Sequence, residues 1–205
     1  MTHTNVDLQG PTGRLEARLD EVSAPRGTAV LCHPHPQYGG NMHDSVLTSA
    51  AAAMLAAGLN CLRFNFRGVG NSDGGHDEGN GEVEDVLAAM AFAREQQSGD
   101  PLWLLGYSFG ARMAWAAASQ QPPHGLILIA PPLGLMDFSG TLPPQVGVHV
   151  LLGDRDDFAP VASVRPWAEA LQQPAAVHVL DGADHFFHGQ GEALEDTVKA
   201  VLVSG

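Results

Sequence analysis

The segment Leu102–Arg112 constrains the fold most, because it joins a strand signal, a tight turn and a helix signal. The apolar run at 102–105 has the length of a buried strand. The alanine-rich run at 111–118 has high helix propensity. Between them lies Gly106-Tyr-Ser-Phe-Gly110, and G-x-S-x-G between a strand and a helix is typical of a turn that exposes a nucleophilic serine. Ser108 is therefore the first candidate for chemistry.

The two glycines of this turn have a steric explanation. A serine on so tight a turn adopts strained backbone geometry, and side chains two residues away on either side would collide with neighbouring elements. The same turn directs the first N–H groups of the following helix towards whatever the serine attacks.

Composition narrows the class of protein. The chain has 205 residues, of which 44% are apolar and 16% charged, so we expect one globular domain over residues 1–205. A net charge of −13 without a basic cluster disfavours nucleic acid. The N-terminus resembles no signal peptide, and no apolar run approaches the roughly 20 residues of a membrane span, so we expect a cytoplasmic protein. Cys32 and Cys61 are interpreted as small core residues.

Strand and helix signals alternate along the chain. This pattern predicts right-handed crossovers and one doubly wound, mostly parallel sheet flanked by helices. The first strand is expected at the sheet's antiparallel edge, after a few polar N-terminal residues. The predicted strands are 14–20, 28–33, 60–66, 102–105, 125–130, 146–152 and 176–180, and the predicted helices are 44–57, 81–97, 111–118, 163–172 and 192–203.

Acidic and histidine side chains follow the last two predicted strands. The ligand site of such a sheet lies at the carboxyl ends of its strands. Gly153-Asp-Arg-Asp-Asp157 follows one strand, and Asp181-Gly-Ala-Asp-His185 follows the next. Together with Ser108 they give the chain order serine, acid, histidine that accompanies this type of turn. A histidine base activates the serine, and a carboxylate orients the histidine.

At this point the sequence resembles the α/β-hydrolase superfamily, and within it the small bacterial serine hydrolases that lack a lid. Five ordered motifs carry the resemblance across nearly the whole chain: His33-Pro-His-Pro-Gln-Tyr-Gly-Gly40, Arg63-Phe-Asn-Phe-Arg-Gly-Val-Gly-Asn-Ser72, Gly106-Tyr-Ser-Phe-Gly110, Gly153-x-x-Asp156-x-x-x-Pro160 and Gly182-x-x-His185. It implies an α/β-hydrolase fold without a separate cap domain and a catalytic triad of Ser108, Asp156 and His185.

Alternatives remain for each partner of Ser108. Asp157 is the nearest alternative to Asp156, and Asp154 lies closer to the end of the strand. Asp184 is too close to His185 along the backbone for an easy approach to its ring. His188 is the alternative histidine.

The oxyanion hole needs two backbone N–H groups. Phe109, the residue after the serine, is expected to supply one. Pro34 and Pro36 have no N–H, so the resemblance implies His35 as the second donor, with Tyr38 as the alternative.

The expected substrate is a small molecule with a short-to-medium acyl chain, cleaved at an ester bond. The link at 131–145 is too short for a helical lid, and its apolar residues are expected beside Ser108, with Tyr38, Met136 and Phe138 as substrate-binding candidates. Thioester, lactone or peptide hydrolysis and a non-catalytic scaffold are the alternatives.

No cofactor or metal is predicted, since His33 and His35 lack a cysteine or acid nearby to complete a metal site. Gly68-x-Gly70 does not complete a dinucleotide fingerprint, so Arg67 and Ser72 are interpreted as structural hydrogen-bonding residues. The segment His76-Asp-Glu78 is expected to be a solvated acidic loop.

Overall fold

A computed structural model of the chain describes residues 2–96 and 99–204, and within them eight strands form one sheet. The strands are β1 (Thr2–Gly10), β2 (Gly13–Glu21), β3 (Thr28–Cys32), β4 (Asn60–Phe64), β5 (Leu102–Tyr107), β6 (Gly125–Ile129), β7 (Gly147–Gly153) and β8 (Ala176–Leu180). Their order across the sheet is β1-β2-β4-β3-β5-β6-β7-β8. Strands β3 to β8 pair in parallel, and β2 pairs antiparallel with both β1 and β4. The predicted mostly parallel sheet is confirmed.

Helices flank this sheet and bury its central strands. They are α1 (Ser45–Ala56), α2 (Asn80–Gln96), α3 (Phe109–Gln120), α4 (Val161–Glu169) and α5 (Gly191–Ser204). Helix α1 packs with α5, and α2 packs with α3. Every residue of β3, β4, β5 and β6 is buried, as expected for continuous apolar runs covered on both faces. The helix boundaries agree with the predicted ones within a few residues, although Gln97 lies outside the described part of the chain.

The antiparallel edge differs from the prediction. β1 pairs with β2 along its whole length, from Thr2 opposite Glu21 to Gly10 opposite Gly13. The outermost strand is therefore β1, and the placement of β2 at the edge is wrong. Alternation explains β1: Leu8 is buried while its neighbours are exposed, so one face of an otherwise polar strand packs on the core.

The link between β6 and β7 contains no helix or strand. This agrees with the prediction that no cap domain covers the carboxyl edge of the sheet. None of the helices in the described residues has the length and apolar character that a bilayer crossing requires.

A buried ion pair fixes the loop after β4 to α2. Arg67 donates from Nη2 to Asp85 Oδ1 at 2.7 Å and from Nε to Asp85 Oδ2 at 3.0 Å. Asp85 also accepts the backbone N–H of Arg67 at 3.0 Å. The Asp85 side chain is fully buried and that of Arg67 is 5% exposed. The structural role inferred for Arg67 is therefore confirmed, and Ser72 also bonds the backbone of Glu16 and Asn65.

We predict that Asp85→Ala lowers the free energy of unfolding by about 3–5 kcal/mol, because it removes the buried counter-charge of the Arg67 guanidinium and leaves only the exposed Glu84 carboxylate at 3.8 Å. Urea unfolding at neutral pH measures this change. The matched control is Asp7→Ala, which removes the solvent-exposed ion pair with Arg14 and should change stability by less than about 1 kcal/mol. Equal losses in the two variants would contradict the prediction.

Candidate active site

Ser108 lies in a strained turn between β5 and α3. Its φ of 54° and ψ of −115° are unusual for a residue with a side chain. The surrounding structure holds this conformation: the Ser108 N–H donates to the Ile129 carbonyl at 2.9 Å, and its carbonyl accepts the Ala111 N–H at 2.9 Å. The turn is thus bonded both to the neighbouring strand β6 and to its own helix, which compensates the strain.

The two glycines beside Ser108 allow backbones to approach closely. A Cβ atom on Gly106 would collide with the carbonyl of Gly110. A Cβ atom on Gly110 would collide with the carbonyls of Cys32 and His33. The steric explanation predicted for G-x-S-x-G is confirmed, and Gly110 brings the start of α3 against the end of β3.

Ser108, His185 and Asp156 form one hydrogen-bonded chain. His185 Nε2 lies 3.0 Å from Ser108 Oγ. His185 Nδ1 lies 2.9 Å from Asp156 Oδ2 and 3.0 Å from Asp156 Oδ1. Because a carboxylate only accepts, Nδ1 carries the proton, and the neutral ring presents Nε2 as an acceptor to the serine hydroxyl. This tautomer is the one that a base acting on Ser108 requires.

The loop after β7 fixes the orientation of Asp156. Its Oδ1 accepts the backbone N–H of Phe158 at 2.8 Å and that of Ala159 at 2.7 Å. The Asp156 side chain is fully buried and that of His185 is 8% exposed. Low exposure and several partners hold the carboxylate in a single position beneath the imidazole.

The alternative acids and the alternative histidine have other positions. Asp154 accepts the Gly182 N–H at 2.7 Å, linking the loops after β7 and β8. Asp184 pairs with His188, whose Nδ1 lies 2.8 Å from Asp184 Oδ2, and both side chains are exposed. Asp157 is exposed on the same loop as Asp156. The structure therefore brings Asp156 and His185 to Ser108, and it engages Asp154, Asp184 and His188 elsewhere.

Tyr107 fixes the backbone of His185 through a hydrogen bond. Its hydroxyl donates to the His185 carbonyl at 3.0 Å, and burial raises the pKa of this phenol well above its usual value. The neutral hydroxyl is therefore a permanent donor. This role was not predicted from the sequence, although the position of Tyr107 directly before Ser108 is a signal for it.

The loop after β3 lies against the start of α3. The His35 and Phe109 ring centroids are 4.8 Å apart. In the described residues, the backbone N–H groups of His35 and Phe109 donate to no other group. Tyr38 is 87% exposed, and its ring packs on His35 at 4.8 Å. Two predicted donors and one predicted binding residue thus lie together on one side of Ser108.

His33 anchors this loop. Its Nδ1 lies 2.6 Å from the Pro34 carbonyl, and its Nε2 accepts the Phe66 N–H at 3.0 Å. The ring is therefore neutral, with the proton on Nδ1. Burial lowers the pKa of His33 to about 4, so this arrangement persists at neutral pH.

The prediction of a solvated loop at 76–78 is wrong for His76. Its side chain is only 12% exposed, and its Nδ1 lies 2.7 Å from Oε1 of the fully buried Glu82. Its ring contacts those of His35 and Phe109, with centroids 5.0 and 5.7 Å apart. The loop folds back because Glu82 accepts the N–H groups of Asp77 and Gly79, each at 2.9 Å. The local sequence shows only polar residues and gives no signal of this packing.

Aromatic side chains also flank His185. The Phe158 and Phe186 centroids lie 4.8 and 5.4 Å from that of His185, and these side chains are 46% and 52% exposed. Neither side chain was predicted from the sequence, although each lies within two residues of Asp156 or His185. Phe138 is buried against Trp115 and Trp167.

Met136 is half-buried in the same link and packs against the core. Substrate contacts by Tyr38, Met136 and Phe138 stay predictions.

Comparison with known proteins identifies the family. The family model for serine aminopeptidase, S33 (Hydrolase_4), matches residues 23–149. The chain belongs to this family. Two solved structures superpose over 98% of it: a lidless α/β serine hydrolase from Xanthomonas campestris (38% identity, 93% of that chain, TM-score 0.91) and an α/β serine hydrolase homologue from Coxiella burnetii (35% identity, 98% of that chain, TM-score 0.88).

A protein of Rickettsia prowazekii is 32% identical to this member of the family, over 96% of the chain and 87% of the relative. Est1E from Butyrivibrio proteoclasticus, solved with ferulic acid bound, is 16% identical with a TM-score of 0.83 over 97% of this chain and 98% of that one, and it shares the fold. The fold is thus that of the α/β hydrolases, and the comparisons support a hydrolase.

We predict that stability falls more steeply with acidification in the wild type than in His33→Gln. Between about pH 6.5 and pH 4 the unfolded His33 binds a proton that the folded ring rejects, so lowering the pH favours unfolding. The full loss over this window is about 3 kcal/mol. Glutamine can still accept from Phe66 and donate to Pro34, but it does not titrate.

Urea unfolding at pH 7.5 and pH 4.5 measures the difference between the two proteins. The control is His3→Gln, at an exposed position on β1, which should keep the wild-type dependence on pH. An unchanged dependence in His33→Gln would overturn the assignment of the buried neutral ring.

Proposed function

We propose that the chain is a serine hydrolase that cleaves carboxylic esters of short-to-medium acyl length through a covalent acyl-enzyme. The observation that carries the proposal is the hydrogen-bonded chain from Ser108 Oγ through His185 to the buried Asp156. Membership of a hydrolase family supports the same reaction class.

In the acylation half, Ser108 Oγ attacks the carbonyl carbon of the ester. His185 accepts the serine proton at Nε2, and the Asp156 carboxylate stabilises the imidazolium through Nδ1–H. The tetrahedral intermediate then collapses, its bond to the alcohol oxygen breaks, and His185 returns the proton to the leaving alcohol.

In the deacylation half, a water molecule takes the place of the alcohol. His185 removes a proton from the water, which attacks the acyl carbon, and the proton then passes to Ser108 Oγ as the carboxylic acid leaves. The same imidazole acts as base and acid in each half.

The N–H groups of Phe109 and His35 are assigned the stabilisation of the negative charge that develops on the carbonyl oxygen. Their lack of other partners among the described residues, and the contact between their rings, support this oxyanion hole. Pro34 and Pro36 restrict the backbone around His35, so little reorganisation is needed during the reaction. Tyr38 is the alternative donor.

The substrate proposal rests on the surroundings of Ser108. Phe158 and Phe186 expose apolar rings beside His185, and the link between β6 and β7 forms no helical lid. An open site with apolar walls suits a small acyl ester. Tyr38, Met136 and Phe138 are proposed to contact it. Peptide hydrolysis is the second candidate, because the family model is that of a serine aminopeptidase.

We predict that Ser108→Ala lowers kcat/KM on 4-nitrophenyl butyrate by about 10,000-fold or more, since the nucleophile is removed while binding remains. Intact-mass spectrometry after exposure to a fluorophosphonate should find one adduct on the wild type and none on this variant. The control is Ser119→Ala on the same helix, which should be labelled like the wild type. An unlabelled wild type would favour a non-catalytic scaffold.

We also predict that kcat/KM is highest for the ester in a matched series of butyryl ester, thioester and anilide, and lowest for the anilide. An amide places the greatest demand on protonation of the leaving group. Thiol release and absorbance assays measure the three rates. Faster cleavage of the anilide than of the ester would overturn the ester proposal in favour of a peptidase, and a faster thioester would favour a thioesterase.

A further inference from the structure

Two imidazoles lie together beside the start of α3, and the reaction proposed above uses neither ring. The His35 and His76 centroids are 5.0 Å apart, and each ring contacts that of Phe109. Phe109 directly follows Ser108 in the chain, so this pair of rings packs on the residue next to the nucleophile. In the described residues, the Nε2 atoms of the two rings have no hydrogen-bond partner.

The tautomer of His35 follows from its own loop. The backbone N–H of Gln37 donates to His35 Nδ1 at 3.2 Å, so this nitrogen carries no proton. Burial and the neighbouring His76 lower the pKa of His35, which keeps the ring neutral. Its one proton therefore lies on Nε2, which is a hydrogen-bond donor.

His76 has the opposite arrangement. Its Nδ1 lies 2.7 Å from Glu82 Oε1, at an angle outside that of a hydrogen bond. A nitrogen this close to a carboxylate carries its proton, because a lone pair there would be repelled by the negative charge. In the neutral ring Nε2 is then an acceptor. Glu82 is fully buried and accepts two backbone N–H groups of the same loop, so its negative charge is fixed in position beside His76 Nδ1.

We propose that His35 and His76 form a hydroxyl-binding subsite, in which Nε2–H of His35 donates to a substrate hydroxyl and Nε2 of His76 accepts from it. One donor beside one acceptor matches a hydroxyl group, which both donates and accepts. Because the amide of His35 is assigned to the oxyanion hole, the hydroxyl lies a few bonds from the scissile carbonyl. The substrate class is that of 3-hydroxyacyl esters. This inference rests on the proposed esterase function.

The first test compares ethyl 3-hydroxybutyrate with ethyl butyrate in a pH-stat assay. The wild type should prefer the hydroxylated ester by about tenfold in kcat/KM, the effect of about one added hydrogen bond. His76→Phe retains an aromatic ring but loses the acceptor, so its ratio of the two kcat/KM values should fall to about one. The matched control is His178→Phe on β8, which should keep the wild-type ratio and rates.

Other ratios of the two kcat/KM values would contradict the proposed hydroxyl-binding subsite. A wild-type ratio near one, or an unchanged ratio in His76→Phe, would remove the role of His76. A preference for monoethyl succinate over both neutral esters would replace the hydroxyl by a carboxylate, because it would mean that both rings donate.

The second test does not depend on catalysis or on the folding of a His76 variant. Ser108→Ala labelled with ¹⁵N-histidine is titrated with each ethyl ester, and the ring nitrogens are followed by NMR. The hydroxylated ester should shift Nε2 of His76 and of His35 with saturation, whereas ethyl butyrate should not. Equal or absent shifts would overturn the proposal.

The two tests also separate this proposal from the proposed function. If the wild type cleaves neither ester and takes up no fluorophosphonate, the esterase function fails, and the titration still decides whether the hydroxyl binds.

Discussion

The close approach of α3 to the end of β3 is the constraint on which the rest of the site depends. It requires glycine at 106 and 110, since a side chain at either position would collide with a backbone carbonyl. It also forces Ser108 into positive φ, which the structure maintains through bonds to Ile129 and Ala111. A looser turn would relieve the strain but would separate Ser108 from His185 and Phe109 from His35. The backbone strain at Ser108 is thus coupled to two contacts, that of Ser108 with His185 and that of Phe109 with His35.

The loop after β3 has to be as rigid as the turn that it faces. Two prolines limit its backbone, and the buried neutral His33 ties it to the end of β4 through Phe66. Burial lowers the pKa of His33, because the low-dielectric core disfavours the charged ring. The imidazole therefore acts here as a neutral connector with one donor and one acceptor. Its chemistry is the same as that of His185, but its environment gives it a structural role.

Much of this arrangement could be predicted from the sequence, because a parallel sheet brings the carboxyl ends of its strands to one edge. Ser108, Asp156 and His185 each follow such a strand, so their convergence required only the correct order of elements. The fold of the loop at 68–79 could not be predicted in this way, because it depends on which polar side chain is buried. Glu82 is buried because two backbone N–H groups and His76 surround it, and nothing in a run of polar residues indicates which of them turns inward. The hairpin partner β1 was missed for a related reason, since only one face of it is apolar.

Two imidazoles in this site each lie beside a buried carboxylate, yet their surroundings give them different chemistry. His185 faces a hydroxyl of the protein at 3.0 Å, so a proton accepted at Nε2 comes from a nucleophile. His76 lies beside another imidazole, so its Nε2 is available to a bound molecule and not to a nucleophile of the protein. Burying a carboxylate costs free energy that the fold recovers only through its hydrogen bonds. Glu82 makes its hydrogen bonds to the N–H groups of Asp77 and Gly79, and its charge lies 2.7 Å from His76 Nδ1, whereas Asp156 bonds His185 directly.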